Sequence, residues 1–198
     1  MSETTMITLL RHGEVGLANV FCGSTDPELS DKGWAQMQKS LENEESWDKI
    51  FTSPLQRCHE FADSLATQEE LDLVVTQDLQ ETDFGDWEGL SPKEILEEDG
   101  TKLHDWWKAP TRVIPPGGEA FLDFRSRVLK AFNEIVSTHQ GQELLLITHA
   151  GVIRVILMHI LGMQDENLFR LNVDYASMSK IRIYNDDSGE WGTLISHG

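Results

Sequence analysis

The chain has 198 residues, 34 of them acidic and 16 basic, for a formal charge of -18. Such a surface repels nucleic acid and anionic membranes, so an anionic ligand binds only where local positive charge outweighs the global field. With 39% hydrophobic and 25% charged residues, a packed globular fold is expected, one domain over residues 1–198. Strand-like apolar runs fall at residues 6–10, 49–52, 73–75, 144–148, 180–184 and 192–195. Helical patterns lie between most of them. Ser30 is placed as the N-cap of a helix carrying Trp34, Met37 and Leu41 on one face. Ser53-Pro54 reads as a cap with a first-turn proline, followed by the stripe Leu55, Cys58, Phe61 and Leu65. Ser91 to Glu94 reads as a capping box. Phe121, Phe124, Val128, Phe132 and Ile135 form one apolar face of a long helix. Residues 152–161 are apolar nearly all round, and Gly162 is a fitting stop.

Strands alternating with helices predict an α/β fold: a three-layer sandwich with a mostly parallel central sheet and helices on both faces. The last two strands are joined by a turn-rich stretch, "IYNDDSGEWG", which predicts a C-terminal antiparallel hairpin. Residues 86–118 hold no strand signal but contain Trp87, Trp106, Trp107 and "PPGG", and read as a small inserted helical cap. Cys22 and Cys58 read as two free thiols rather than a disulfide framework. No basic segment followed by an apolar one opens the chain, and no stretch reaches about 18 apolar residues. The expected address is the cytoplasm, with no membrane and no nucleic acid as partner. A monomer and a homodimer both fit the terminal hairpin, as a sheet edge or a dimer edge.

In an open parallel sheet, ligands collect beyond the carboxyl ends of the strands. Two strands here end in histidine: one runs into Arg11-His12-Gly13, the other into His149-Ala150-Gly151. A third leads into Ser53-Pro54 and puts Arg57 near the start of the next helix. If the sheet is parallel, His12, His149, Arg11 and Arg57 converge. Two histidines and two arginines in one pocket suit a phosphoryl group, whose oxygens match the guanidinium fork. Taken singly, each residue also fits a purely structural role; the coincidence of two such strand ends carries the inference.

Five motifs occur in order: "LLRHGE" (9–14), "SPLQRC" (53–58), "ETDFGDWEG" (81–89), "PPGGEA" (115–120) and "ITHAGVIR" (147–154). Together they resemble the histidine phosphatase superfamily, in the branch that includes cofactor-dependent phosphoglycerate mutases and α-ribazole phosphatases. The resemblance spans almost the whole chain. It implies that His12 is the nucleophile that becomes phosphohistidine, that Arg11, Arg57 and His149 clamp the phosphoryl oxygens, and that Glu81 protonates the leaving oxygen and then serves as base for water. Two guanidinium groups beside His12 favour the neutral imidazole that a nucleophile requires. Asp83, two residues from Glu81, is a rival for the acid; in an extended stretch the two point the same way. Glu14 and Glu88 read as structural or surface residues.

The resemblance breaks in one place. Many members carry a phosphate-touching asparagine five residues after the RHG glycine; here that position is Ala18, and Asn19 comes one later. Asn19 is therefore one candidate substrate contact, displaced by one position, and Cys22, Gly23 and Ser24 are alternatives through backbone donors. The short loop and "DFGDWEG" look most like the α-ribazole phosphatases, which points to a small phosphorylated metabolite, with α-ribazole 5′-phosphate as one candidate. A phosphoglycerate mutase-type transferase is the alternative, and a phosphate-binding module without turnover is a third reading. No metal and no cofactor are expected, since H-x-H, H-E-x-x-H and D-x-D patterns are absent. Neither cysteine has an arginine six residues later, and no G-x-S-x-G elbow is present, so cysteine phosphatase and serine hydrolase readings fail.

Overall fold

A computed structural model describes residues 3–17, 19–44, 46–186 and 189–198. Six strands form one sheet: β1 (Glu3–Arg11), β2 (Lys49–Thr52), β3 (Asp72–Val75), β4 (Glu143–Thr148), β5 (Met178–Asp186) and β6 (Gly189–His197). Their spatial order is β3-β2-β4-β1-β5-β6. The first four named run parallel, and β5 and β6 add as an antiparallel hairpin. The hairpin strands are longer than their apolar runs, because ladder hydrogen bonds continue past the last buried side chain. Of the turn residues, Asp187 and Ser188 lie outside the described residues.

Alternation along the strands divides the core. Ile7, Leu9, Phe51, Leu144 and Leu146 face helices α5 (Phe121–Thr138) and α6 (Ala150–Ile160). Leu10, Ile50, Leu145 and Ile147 face α1 (Asp31–Leu41) and α2 (Gln56–Glu69). The expected three layers follow directly, and each buried Leu or Ile contributes roughly 1.5–3 kcal/mol. Ser30 caps α1 through Gly33 N–H, and Ser91 with Glu94 forms the capping box of α3 (Pro92–Asp99). Gly162 ends α6 at φ +61°. One cap differs from expectation: α2 starts at Gln56 with Leu55 as N-cap, and its first N–H, that of Gln56, donates to Asp26 Oδ1 (2.7 Å). Ser53 Oγ accepts from Leu55 N–H (3.3 Å) and lies 2.7 Å from His149 Nε2.

Residues 85–118 hold a 3₁₀ turn (Gly85–Trp87), α3 and α4 (Lys102–Lys108). Trp87, Ile95, Leu103 and Trp106 give this segment a small core of its own, packed against Phe21, Phe84 and Phe169. Trp87 Nε1 donates to Asp99, which satisfies the buried indole. Among the described residues no helix is long and apolar enough to cross a membrane.

Candidate active site

Three parallel strands end level with one another. Arg11 pairs with Thr148 and Thr52 with Ile147, and the ladder runs one residue further through His12 N–H to Thr148 O (2.9 Å) and Ser53 N–H to Ile147 O (3.1 Å). The register therefore sets Arg11, His12, Ser53 and His149 at one edge. Arg57 reaches it from the first turn of α2.

His12 is 6% exposed and His149 fully buried, their ring centroids 5.2 Å apart. His12 Nδ1 lies 2.8 Å from the carbonyl oxygen of its neighbour Gly13. A carbonyl can only accept, so Nδ1 carries the hydrogen and Nε2 keeps its lone pair. Gly13 has no positive φ; a Cβ there would collide with the Gly33 backbone of α1, so close approach of two chains requires the glycine. Burial first, then the charges of Arg57 and Arg11, hold His12 well below the ordinary histidine range. Burial, Arg57 and the His12 ring do the same to His149, whose Nε2 lies 2.7 Å from Ser53 Oγ.

Both histidines are thus neutral when folded and bind protons in the unfolded chain below about pH 6.5. The unfolded state then holds more protons, so stability falls as pH drops from that value toward the depressed folded values. Each histidine contributes a slope of about 1.4 kcal/mol per pH unit within that window. Thermal unfolding between pH 7 and 5 checks this, and His12→Asn should flatten the slope by one proton's worth.

Arg57 is fully buried and its terminal nitrogens donate to Thr25 O and Gly23 O, both at 2.7 Å. Arg11 donates from Nη1 to Val173 O at 2.7 Å. The Nε–H of each is buried without a protein acceptor. Among the described residues neither arginine forms an ion pair with a carboxylate, in a chain where acids outnumber bases two to one. Two largely enclosed cations, neither in direct contact with a carboxylate, form a site for an oxyanion.

Glu81 is 9% exposed. Its carboxylate accepts from Gly151 N–H in the first turn of α6 (2.9 Å) and from Thr82 N–H (3.0 Å). A Cβ on Gly151 would overlap that carboxylate, so the glycine of "HAG" makes room for the acid. Arg127 of α5 holds the segment from behind, donating to Asp78 O, Gln80 O and Glu81 O while its fork grips Glu119. Asp83 does not join Glu81: it accepts from Gly85 N–H (2.8 Å) and Ser24 Oγ (3.1 Å), capping its own turn.

The loop after the RHG motif differs from expectation. Gly23 and Ser24 do not offer free backbone donors, because both N–H groups bind the Glu88 carboxylate. Cys22 and Gly23 turn carbonyls toward Arg57 instead, at 3.4 and 2.7 Å. Asn19 is exposed with φ +56°, a conformation asparagine tolerates, and among the described residues it has no hydrogen bond to the site. Ala18 lies outside the described residues. Glu88 is the knot of this loop, also accepting from Thr25 N–H, Thr25 Oγ1 and Phe84 N–H. Burial pushes its carboxyl up, yet the bonds from Thr25, Phe84, Gly23 and Ser24 outweigh that and leave it below the usual range. Glu88→Ala is expected to cost about 2–4 kcal/mol by orphaning these donors, read as a fall in urea midpoint.

Sequence reasoning missed Arg127, Tyr175, and Ser53 as the partner of His149. Arg127 follows the apolar face of α5 and looks like an ordinary flank; only Glu119, inside "PPGGEA", hinted at a buried cation. Cys58 lies against His149, its thiol raised by burial.

A family model described as histidine phosphatase superfamily (branch 1) matches residues 7–191, and the chain belongs to that superfamily. It is 36% identical over 187 residues to the Mycobacterium tuberculosis protein named bifunctional protein Rv2228c, covering 92% of this chain and 51% of that one. The chain thus spans about half the length of that relative. A 2,3-bisphosphoglycerate-dependent phosphoglycerate mutase from Bartonella henselae is 30% identical over 177 residues, 84% of this chain and 85% of the mutase. The crystal structure of the α-ribazole phosphatase from Shigella flexneri superimposes with TM-score 0.82 at 27% identity, over 97% of this chain and 95% of that one.

Proposed function

We propose that the protein hydrolyses a phosphomonoester of a small metabolite through a phosphohistidine at His12, with α-ribazole 5′-phosphate as the candidate substrate. The observation that carries this is a pair of arginines, neither ion-paired to a carboxylate among the described residues, whose charges act on a neutral histidine with its Nδ1–H tied to Gly13 O. In the first step the His12 Nε2 lone pair forms the N–P bond as the P–O bond to the leaving oxygen breaks. Arg11 and Arg57 offset charge on the equatorial oxygens. Glu81 gives its proton to the leaving oxygen. Water then attacks phosphorus, Glu81 takes its proton, and the N–P bond breaks to release phosphate and neutral His12.

Hydrolysis is favoured over mutase chemistry by what surrounds the leaving group. A pocket beside Glu81 is walled by Phe84, Trp106, Phe169 and Leu168, with Arg154 as its cation. Residues 86–118 carry four bases (Lys93, Lys102, Lys108, Arg112) against seven acids (Asp86, Glu88, Glu94, Glu97, Glu98, Asp99, Asp105). Two of the bases are paired within the segment, Lys93 with Glu97 and Lys102 with Asp99. An apolar or aromatic leaving group suits such walls better than a second phosphate, and at about 50 Å³ the pocket admits only an edge of it. The mutase reading draws on Arg154 and on the Bartonella relative. Phosphate release from p-nitrophenyl phosphate, α-ribazole phosphate and 3-phosphoglycerate separates the readings. The proposal predicts release, fastest from α-ribazole phosphate among the metabolites. Isomerisation of phosphoglycerate without net phosphate release contradicts it, and inertness toward all three leaves a binding module.

A further inference from the structure

Tyr175 belongs to none of the five motifs. It lies between the 3₁₀ turn Asp165–Arg170 and β5, in a loop tied to the reacting strand end at several points. Val173 O accepts from Arg11 Nη1, Ser177 O accepts from Arg11 N–H, and Ala176 N–H donates to His12 O. Ala176 is buried at φ +55°, in the left-handed region that alanine rarely adopts. Its carbonyl is pinned by Ser40 Oγ at 2.7 Å. Backbone strain of this kind persists where surrounding contacts over-determine the conformation, and it marks functional loops.

That conformation accompanies the placing of the preceding residue's ring, that of Tyr175, on the site. The Arg11 guanidinium carbon sits 3.9 Å from the centroid of the Tyr175 ring, and the same ring lies 5.7 Å from that of His12. Among the described residues Arg11 has one side-chain hydrogen bond, from Nη1 to Val173 O, its Nε–H is enclosed without an acceptor, and no carboxylate lies within ion-pair distance. One bond leaves a guanidinium free to rotate about that contact; a ring face fixes its plane. Tyr175 is itself 39% exposed, more than a core packing role requires.

We propose that Tyr175 is a positioning residue for the phosphate clamp. Its ring face holds the Arg11 fork flat and ready for the oxyanion, and it closes one side of the space over His12. The inference rests on the proposed function only in that Arg11 grips the phosphoryl oxygens. The attraction is a cation–π contact, so it needs the ring and not the hydroxyl.

Orthovanadate binding, measured by calorimetry on the full chain, tests this together with kcat/KM on p-nitrophenyl phosphate. Tyr175→Phe should match wild type within about twofold, whereas Tyr175→Leu should bind vanadate about tenfold more weakly and lose kcat/KM by a similar factor. Both variants should keep the thermal midpoint within a few degrees, because the residue is exposed. Unchanged vanadate affinity in Tyr175→Leu overturns the inference, whatever happens to the midpoint. So does a Tyr175→Phe as weak as Tyr175→Leu, which would assign the effect to the hydroxyl. Wild type that binds vanadate yet turns over no phosphomonoester removes the hydrolase reading alone. Wild type that binds no vanadate removes both.

Discussion

His12→Asn is expected to lower turnover by about 10⁴-fold or more and to leave the fold intact. The loss is large because the other nucleophilic groups near this edge, Ser53, His149 and Cys58, are buried among protein partners. His149 is fully buried with Nε2 engaged by Ser53, and the Cys58 thiol is held protonated by burial. The fold survives because His12 holds no long-range side-chain bond; its ring contacts its own neighbour Gly13. Neutral imidazole beside two guanidinium groups also adds acid sensitivity, which the variant sheds. Near-normal turnover by purified His12→Asn would remove the mechanism.

Glu81→Gln should reduce kcat by about 10²–10⁴-fold, the range for loss of a positioned proton donor. The glutamine carbonyl can still accept from Gly151 N–H or Thr82 N–H, so the segment stays in place. The size of the effect should depend on the leaving group. A nitrophenolate departs without a proton, so its phosphoryl transfer to His12 is spared, whereas an alkyl phosphate loses that step too. Asp83→Asn is the control: Asp83 binds Gly85 N–H and Ser24 Oγ, away from the Glu81 carboxylate, and the variant should stay within a few fold of wild type. Equal losses in kcat/KM, which reports phosphoryl transfer to His12, on both substrate types would remove Glu81 as the acid, and a larger loss in Asp83→Asn would exchange the two roles.

The sheet and its layers were legible because alternating burial writes itself into apolar runs such as residues 144–148. The parallel register then placed His12 and His149 together without further information, since both follow strands that pair directly. Arg57 was legible from its distance to the end of β2. Less legible were groups whose role depends on a long-range partner. Asp83 parts from Glu81 because the chain turns at Phe84 and the Asp83 carboxylate bends forward to Gly85 N–H and Ser24 Oγ, while that of Glu81 takes Gly151 N–H. Gly23 and Ser24 looked like free donors because nothing local shows that Glu88, about 65 residues on, claims their N–H groups. Tyr175 was invisible for a related reason: its place over Arg11 depends on a left-handed alanine, and propensity does not anticipate strain that tertiary contacts impose.

Covalent phosphate on His12 is the most direct test. Wild type mixed with p-nitrophenyl phosphate, quenched in alkali within the first turnover and digested, should yield phosphate on the peptide containing His12, acid-labile and base-stable as a phosphoramidate is. The label should disappear on chase with unlabelled substrate at the rate of turnover, and it should be absent from His12→Asn. Turnover that proceeds with no label at His12, or with label on another residue, would contradict the account.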